Sequence, residues 1–306
     1  MKFLVLSVFF MLGLAADEKL IKFCEQAVSK ADSVKALEGK EGWLFPFKEI
    51  QHLAPKKQFS ENALTAIVEY KKALASENIE LLIVPVPPKA LIYKEFLTGQ
   101  KSDWNPYSGF HEKLKEQKVN SLDLVPLFYE NKEKQVFCKR DSHFSPPMAS
   151  VIATALFLKT ARKSSGKKYS SESIEVDFEG DLTRQSEKEF DKEKFKIEYL
   201  MENKDFIEAN PQSPVILMGD SNCLIFSSGG EMHTRGAGIF DFLSQSFGQN
   251  IDLLGVKGSG VDIARVDFFR RSMDINYLRK KKLVIWLFAA YELTESRGWK
   301  KIPVRR

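Results

Sequence analysis

Short apolar runs alternate with longer amphipathic segments along most of this chain. Residues 81–86, 215–218 and 283–288 form apolar runs of four to six residues, and weaker runs cover 119–124 and 251–256. Runs this short, bounded by proline, glycine or charged residues, predict buried strands rather than helices. Because helical segments separate the runs, the pattern predicts an α/β fold with four or five parallel strands and helices on both faces of the sheet.

Residues 18–37 and 60–76 carry apolar residues three or four positions apart, which is the spacing of an amphipathic helix, and the most apolar stretch, 151–158, is expected to lie in a buried helix. Ser60 and Ser145 stand where helix-capping residues are expected, and Pro146 suits the first turn of a helix. The predicted helices cover residues 18–37, 60–76, 107–117, 145–161, 238–247 and 261–273.

Residues 163–210 interrupt this rhythm, because they are rich in Lys, Glu, Ser and Asp and poor in aliphatic residues. Such a composition predicts an irregular and mostly exposed insertion. Since the insertion lies between two candidate catalytic segments, a lid or acceptor surface is the alternative to a plain solvated loop.

The first candidate segment is a polar turn at the end of a predicted strand. Gly219, Asp220 and Ser221 follow directly on the run 215–218. Ligands bind at the carboxyl ends of parallel strands, where backbone N–H groups and helix amino termini line a crevice. Ser221 is therefore a candidate nucleophile, although a Gly-Asp-Ser turn without a base is more simply a polar turn.

A candidate base lies upstream, at Asp141 and His143. In extended backbone, side chains two residues apart lie on one face, so the carboxylate can reach an imidazole N–H. In a Ser-His-Asp arrangement the Asp fixes the tautomer, and the other imidazole nitrogen takes the serine proton. The alternative is an ordinary surface Asp beside a His at the edge of the core. Together with Ser221, however, the pair favours a catalytic triad.

These two segments resemble the SGNH hydrolase superfamily, but their order is reversed, as in a circular permutation, because the His segment precedes the Ser segment. The reversed order resembles the alginate O-acetyltransferase group of AlgX and AlgJ. The likeness runs from about Glu38 to about Leu293. The stretches that carry it are 42–45 (GWLF), 84–93 (VPVPPKALIY), 141–146 (DSHFSP), 180–182 (GDL), 258–260 (GSG) and 284–286 (VIW).

This resemblance implies an exported polysaccharide O-acetyltransferase without a cofactor. It would carry acetyl on Ser221, activated by His143 and Asp141, to sugar hydroxyls of an exopolysaccharide such as alginate. The resemblance also implies a membrane-bound O-acyltransferase as the acetyl donor. The chain departs from the group at Phe144, where Trp is usual, and at residues 287–291, where the group has Glu and later a substrate-side Arg.

Further residues are candidates for the oxyanion and the acceptor. The Ser221 N–H and the turn of Gly258 and Gly260 follow strand ends and are placed to face an acyl oxygen, with Asn222 a weaker candidate. His233 and Arg235 follow the nucleophile by a short loop, so they are candidates to line an acceptor cleft. A tight turn and ordinary surface residues are the alternatives. No metal-ligand spacing occurs in the sequence.

The amino terminus has Lys2, an apolar run over 3–14 and then two alanines before Asp17. This pattern predicts a cleaved signal peptide over residues 1–16 and export to the periplasm. The resemblance implies that residues 17–306 form one SGNH-like acetyltransferase domain. Three cysteines permit at most one intramolecular disulfide. A net charge of +5 mildly favours an acidic polysaccharide, and no nucleic-acid motif accompanies it.

Two other functions fit the same residues. A carbohydrate acetylesterase would use the same triad with water as the acceptor. A polysaccharide-binding scaffold of an export complex would retain the fold with a vestigial triad. A dehydrogenase fits poorly, because no glycine-rich fingerprint follows the first strand.

Overall fold

The computed structural model describes residues 18–30, 36–54, 60–101, 104–186, 188–258, 261–294 and 299–305. The predicted signal peptide over 1–16 lies outside the described residues. In the described part of the chain, no helix is long and apolar enough to cross a membrane.

The described strands and helices are numbered in chain order. The strands are β1 (Ala36–Glu38), β2 (Leu44–Pro46), β3 (Glu80–Val86), β4 (Asn120–Ser121), β5 (Ser170–Phe178), β6 (Glu193–Glu202), β7 (Asp205–Phe206), β8 (Val215–Gly219), β9 (Asp252–Gly255) and β10 (Leu283–Ala289). The helices are α1 (18–30), α2 (Phe47–Leu53), α3 (Glu61–Ser76), α4 (Lys89–Ile92), α5 (Glu95–Thr98), α6 (Ser108–Glu116), α7 (Val125–Glu130), α8 (Pro146–Thr160), α9 (Ile239–Phe247), α10 (Val261–Ser272) and α11 (Ile275–Lys280).

The central sheet has five parallel strands in the order β4-β3-β10-β8-β9. These are the five strands that the apolar runs predict, and the α/β prediction with a parallel sheet flanked by helices is confirmed. The prediction for 119–124 was too long, since only Asn120 and Ser121 pair in the sheet.

The middle of the sheet explains why its strands read as continuous apolar runs. All five residues of β8 and the first six of β10 are buried, because neighbouring strands cover their edges and other elements cover both faces. β8 and β10 pair from Val215 with Leu283 to Gly219 with Leu287. At the last pair the strands approach so closely that a Cβ on Gly219 would lie 1.6 Å from the Leu287 carbonyl oxygen. Only glycine therefore fits at position 219, just before the turn that carries Ser221.

The predicted insertion over 163–210 is mostly exposed, as expected, but the prediction that it is irregular was wrong. Within it, β5, β6 and β7 form a three-stranded antiparallel sheet in the order β5-β6-β7. On β6, Phe195 and the buried Ile197 alternate with the exposed Lys194 and Lys196, which is the period of two expected of a half-covered strand. The charged average composition of the segment conceals this alternation.

The three cysteines are buried free thiols, and no disulfide joins them. Burial raises the pKa of the Cys138 and Cys223 thiols well above the ordinary value. Since the thiolate is the reactive form, these two thiols are chemically quiet although they lie close to the candidate catalytic residues.

Candidate active site

The turn that carries the candidate nucleophile, Ser221, is fixed by an aspartate that joins two strand ends. Ser221 begins a 3₁₀ turn (Ser221–Cys223) immediately after β8. Oδ1 of Asp220 accepts the Asn222 N–H at 2.9 Å, and Oδ2 accepts the Ala289 N–H at the end of β10 at 2.7 Å. The Asp220 carboxylate therefore caps the turn and binds it to the neighbouring strand, which holds the Ser221 hydroxyl at the carboxyl edge of the sheet.

The candidate base, His143, lies on a closed loop between α7 and α8. Its two ends pair through the Cys138 N–H to the His143 carbonyl at 3.2 Å and the Ser145 N–H to the Val136 carbonyl at 3.0 Å. Between them, Oδ1 of Asp141 accepts the His143 N–H at 3.0 Å. The two side chains do meet as expected, but through an Asx turn rather than through extended backbone.

Three side chains from these two segments form a hydrogen-bonded line. Nδ1 of His143 lies 2.7 Å from Oδ1 of Asp141, and Nε2 lies 2.8 Å from Oγ of Ser221. A carboxylate only accepts hydrogen bonds, so Nδ1 carries the proton and Nε2 can accept the serine proton. His143 is 6% exposed and Asp141 is 1% exposed.

The charges and hydrogen bonds around His143 favour an imidazole that becomes protonated during a reaction. Burial by itself would lower the pKa of His143, but the charge of Asp141 and the hydrogen bond to it raise this pKa above its ordinary value. Burial by itself would raise the pKa of Asp141, but its hydrogen bonds to His143 and His233 lower it well below the ordinary value. Asp141 therefore remains a carboxylate and stabilises an imidazolium at His143.

The other oxygen of Asp141 has its own partners. Oδ2 accepts hydrogen bonds from the Asp181 N–H at 3.0 Å and from the Nε2–H group of His233 at 2.8 Å. The loop carrying Asp181 comes this close because of Gly180, where a Cβ would lie 2.2 Å from the Arg140 carbonyl oxygen. His233, which the sequence places beside the acceptor, in fact contacts Asp141.

A buried lysine and a buried glutamate hold the loop that leads into Asp141. Nζ of Lys89 donates to the carbonyl oxygens of Lys139 at 3.1 Å and Asp141 at 2.9 Å. The Glu193 carboxylate accepts the N–H groups of Lys139 at 2.6 Å and Arg140 at 2.5 Å. Sequence reasoning missed Lys89 and Glu193 as site residues, although Lys89 lies in the stretch 84–93 that carries the resemblance.

The stretch 42–45 contributes to the same support. The rings of Trp43 and Phe45 each lie with their centroids 5.5 Å from the Lys89 ammonium. Burial lowers the pKa of Lys89, and the carboxylates of Glu193 and Glu49 oppose that shift. The aromatic faces and the nearby carboxylates thus partly compensate the cost of burying the Lys89 charge, which holds the loop before Asp141.

A cleft of about 620 Å³ opens beside Ser221 and His143. The carboxyl ends of β3, β8 and β10 form its floor, α2 forms one wall, and the turn over 181–185 forms another. This is the position that ligands take in open parallel sheets. The polar residues lining it are Lys48, Glu49, Gln51, Ser142, His143, Asp181, Gln185, Asp220, Ser221, Asn222 and Tyr291.

The remaining predicted site residues have different positions. Asn222 and Gly258 line the cleft, whereas Gly260 lies outside the described residues. The Asn222 side chain donates to Oδ1 of Asp220 at 2.9 Å, so the Ser221 N–H, the first of its turn, is the better oxyanion donor. Arg235 is not in the cleft lining, since its guanidinium pairs with Glu208 at 2.6 Å.

The side chains of Asp141, His143 and Asp181 lie close together, but hydrogen bonds rather than a metal ion account for their arrangement. Ligand atoms of Asp141, His143 and Asp181 lie within 4.8 Å of one another. However, Oδ1 and Oδ2 of Asp181 accept the Ser142 N–H at 2.7 Å and the Ser142 hydroxyl at 2.6 Å. Since N–H and O–H donors already occupy the oxygens of both aspartates, the cluster is a hydrogen-bonded network.

Comparison with known proteins places this geometry in a family. Residues 36–290 match the family described as the SGNH hydrolase-like domain of the acetyltransferase AlgX. The chain belongs to this family. The resemblance stated from the sequence segments is thereby confirmed at the level of family and fold.

Curated relatives of this SGNH hydrolase-like chain are longer proteins. The probable alginate O-acetylase AlgJ of Pseudomonas putida is 29% identical over 130 residues, which is 41% of this chain and 34% of the relative. That of Pseudomonas syringae pv. tomato is 28% identical over 154 residues, 47% of this chain and 39% of the relative. The chain thus matches between a third and two fifths of the length of these relatives.

Two solved structures share the fold. The O-acetyltransferase domain of Pseudomonas putida AlgJ aligns with a TM-score of 0.66 and 19% identity, over 85% of this chain and 93% of that chain. Pseudomonas aeruginosa AlgX aligns with a TM-score of 0.66 and 17% identity, over 87% of this chain and 64% of that chain. At these identities the likeness establishes the SGNH-like fold.

Proposed function

We propose that this chain is a polysaccharide O-acetyltransferase in which Ser221 carries the acetyl group. The observation that supports the proposal most directly is the line of hydrogen bonds from Asp141 through His143 to Ser221, at 2.7 and 2.8 Å, beside an open cleft. The chain's family, and relatives described as probable alginate O-acetylases, support acetyl transfer as the chemistry. The proposed acceptor is an exopolysaccharide such as alginate.

The first half of the reaction forms the acyl-enzyme. Oγ of Ser221 attacks the carbonyl carbon of the acetyl donor while its proton moves to Nε2 of His143. Asp141 stabilises the imidazolium, and the Ser221 N–H faces the oxyanion of the tetrahedral intermediate. The intermediate collapses when the donor's leaving group departs with the proton from His143, which leaves acetyl on Ser221.

The second half transfers acetyl to the polymer. A sugar hydroxyl in the cleft loses its proton to Nε2 of His143 and attacks the acetyl carbonyl carbon. Collapse of that intermediate breaks the bond to Oγ of Ser221, and the serine recovers its proton from His143. The product is an O-acetyl sugar, and the triad returns to its starting protonation.

Water is the natural competitor for the acyl-enzyme, because the cleft is open to solvent. We therefore expect acetyl transfer to exceed hydrolysis only when an oligosaccharide fills the cleft between α2 and the 181–185 turn. The measurement supplies an activated acetyl ester with an oligouronate or a neutral oligosaccharide and counts acetylated sugar against free acetate. Lowered affinity of an oligouronate at high salt would support a charged acceptor.

If free acetate is the main product at saturating concentrations of every oligosaccharide tried, the chain is a carbohydrate acetylesterase rather than an acetyltransferase. An intact fold that binds oligosaccharides but forms no acyl-enzyme would instead favour a polysaccharide-binding scaffold.

We also propose that the chain is exported and receives acetyl from a membrane-bound O-acyltransferase. Export is motivated by the short apolar run over 3–14 and the small residues after it. Amino-terminal sequencing of the chain recovered from its cells should give a start after Ala15 or Ala16, and a full-length cytoplasmic form would contradict this. Membranes that contain the donor protein and a thioester acetyl source for it should acetylate Ser221, whereas the thioester alone should not, and no acetylation in their presence would exclude that donor.

A further inference from the structure

We propose that His233 is a positioning residue of the triad, which fixes the Asp141 carboxylate from the side opposite His143. The inference rests on the proposed role of Ser221, His143 and Asp141. Nε2 of His233 lies 2.8 Å from Oδ2 of Asp141, and the His233 side chain is 12% exposed. Two imidazoles from different parts of the chain thus share one buried carboxylate.

The direction of this hydrogen bond follows from the chemistry of the partner. The Asp141 carboxylate only accepts, so the proton lies on Nε2 of His233. The imidazole is clamped by aromatic rings, with the Phe178 centroid 4.1 Å away at an interplanar angle of 22° and the Phe226 centroid at 5.6 Å. Phe178 is the last residue of β5, so the antiparallel sheet itself helps to aim the donor.

The backbone at His233 also indicates a position set by its surroundings. Its φ is +65°, a region that few residues other than glycine adopt, although Asn, Asp and His tolerate it better than most. The His233 N–H donates to the Gly230 carbonyl at 3.0 Å, and the Phe226 N–H donates to the Met232 carbonyl at 2.9 Å. This loop turns Met232 into the cleft lining, which His233 does not join.

With His233 in place, both oxygens of the Asp141 carboxylate accept hydrogen bonds. Oδ1 accepts two N–H groups of His143, and Oδ2 accepts the N–H groups of Asp181 and His233, which makes four donors in all. A carboxylate held at both oxygens cannot rotate away from His143. It also attracts the imidazolium less strongly than a carboxylate whose Oδ2 lacks the second donor.

The charged groups around Asp141 and His143 determine the direction in which loss of the His233 donor shifts the pKa of His143. Asp141, Asp181 and Asp220 face His143 and raise its pKa against the effect of burial. Nζ of Lys89 lies 2.9 Å from the Asp141 carbonyl oxygen on the other side. Removal of the His233 donor leaves more negative charge on Asp141, so the pKa of His143 rises further. Because the unprotonated imidazole is the base, the midpoint of the acylation rate should move to higher pH.

Two substitutions separate the donor from the ring. His233→Phe keeps an aromatic ring against Phe178 but has no donor, whereas His233→Gln keeps an N–H donor without the ring. Arg235→Gln is the matched control in the same loop, because Arg235 pairs with Glu208 outside the cleft lining. For each intact chain, the rate of Ser221 acetylation by an activated ester is measured against pH. The His143 imidazole is titrated in parallel by nitrogen NMR. Because the chain has four histidines, their imidazole signals can be assigned individually.

For His233→Phe we expect a fall in the plateau acylation rate of roughly 10-fold to 100-fold, the usual effect of losing a hydrogen bond to a charged group. The midpoint and the His143 titration should rise by roughly 0.5 to 1 pH unit, with KM for the ester nearly unchanged. His233→Gln should restore most of the rate and the original midpoint, and Arg235→Gln should match the parent chain.

An unchanged midpoint and titration in His233→Phe would overturn the inference, even if the variant were less stable. Equal defects in the Phe and Gln variants would also overturn it, because packing of the ring would then be what matters. If the parent chain never acetylates Ser221, the proposed function fails. The titration of His143 in the parent and in His233→Phe still decides whether His233 acts on the pair.

Discussion

Ser221→Ala and His143→Ala should each lower the rate of acetyl-ester cleavage by at least ~1,000-fold, and the double variant should be little worse than either. The reason is that Oγ of Ser221 and Nε2 of His143, 2.8 Å apart, act as one unit in proton transfer. Removing either group removes the same step. The measurement is burst and steady-state kinetics with an activated acetyl ester, with the mass of the intact chain reporting acetyl on Ser221.

Ser228→Ala is the matched control for the nucleophile, because Ser228 is an exposed serine seven residues further along the same segment. It should retain the parent activity. Activity that survives Ser221→Ala would move the nucleophile elsewhere. Cys223 is a poor substitute, since its buried thiol donates to the Leu287 carbonyl at 3.8 Å and burial holds its pKa well above the ordinary value.

Asp141→Asn should lower the acylation rate by about 10⁴-fold while leaving the chain folded. An amide has one oxygen and one NH₂ group, whereas both Asp141 oxygens accept hydrogen bonds. If the NH₂ group faces His143, the imidazole carries its proton on Nε2 and cannot accept the serine proton. If the oxygen faces His143, the NH₂ group opposes the Asp181 N–H, and the imidazolium has lost its counter-charge.

The control for this variant is Asp205→Asn, an exposed carboxylate on β7 whose loss should leave the rate within twofold of the parent, as expected for a surface change. Circular dichroism and the thermal midpoint show whether Asp141→Asn folds. A folded Asp141→Asn variant with more than about a tenth of the parent rate would mean that the carboxylate is not the partner of the base.

The stretches that carry the family resemblance have a common physical role around the base loop. Lys89, from the stretch 84–93, binds the carbonyl oxygens of Lys139 and Asp141. Trp43, from the stretch 42–45, covers the Lys89 ammonium, and Gly180 lets the Asp181 N–H approach Asp141. The position of the loop that carries Asp141 and His143 therefore depends on packing from segments outside the candidate triad.

Much of the fold was predictable because burial on both faces imposes a pattern that local sequence must carry. β3, β8 and β10 lie in the interior of the sheet, so their residues are almost continuously apolar and were found within a residue or two. The antiparallel sheet was missed for the opposite reason. β5 is almost entirely exposed, and its strand character comes from pairing with β6, which composition does not record.

The sequence by itself determined the parallel α/β core, because an apolar run must be buried. It also predicted Ser221, His143 and Asp141 as candidates, because only certain side chains can serve as nucleophile, base and orienter, and the structure brings these three side chains together. Tertiary structure alone decided that His233, 92 positions from Asp141, donates to its carboxylate while Arg235 pairs with Glu208. The physical reason is that such contacts depend on loop conformation, such as the positive φ at His233 and the close approach at Gly180, which residue type permits but does not specify.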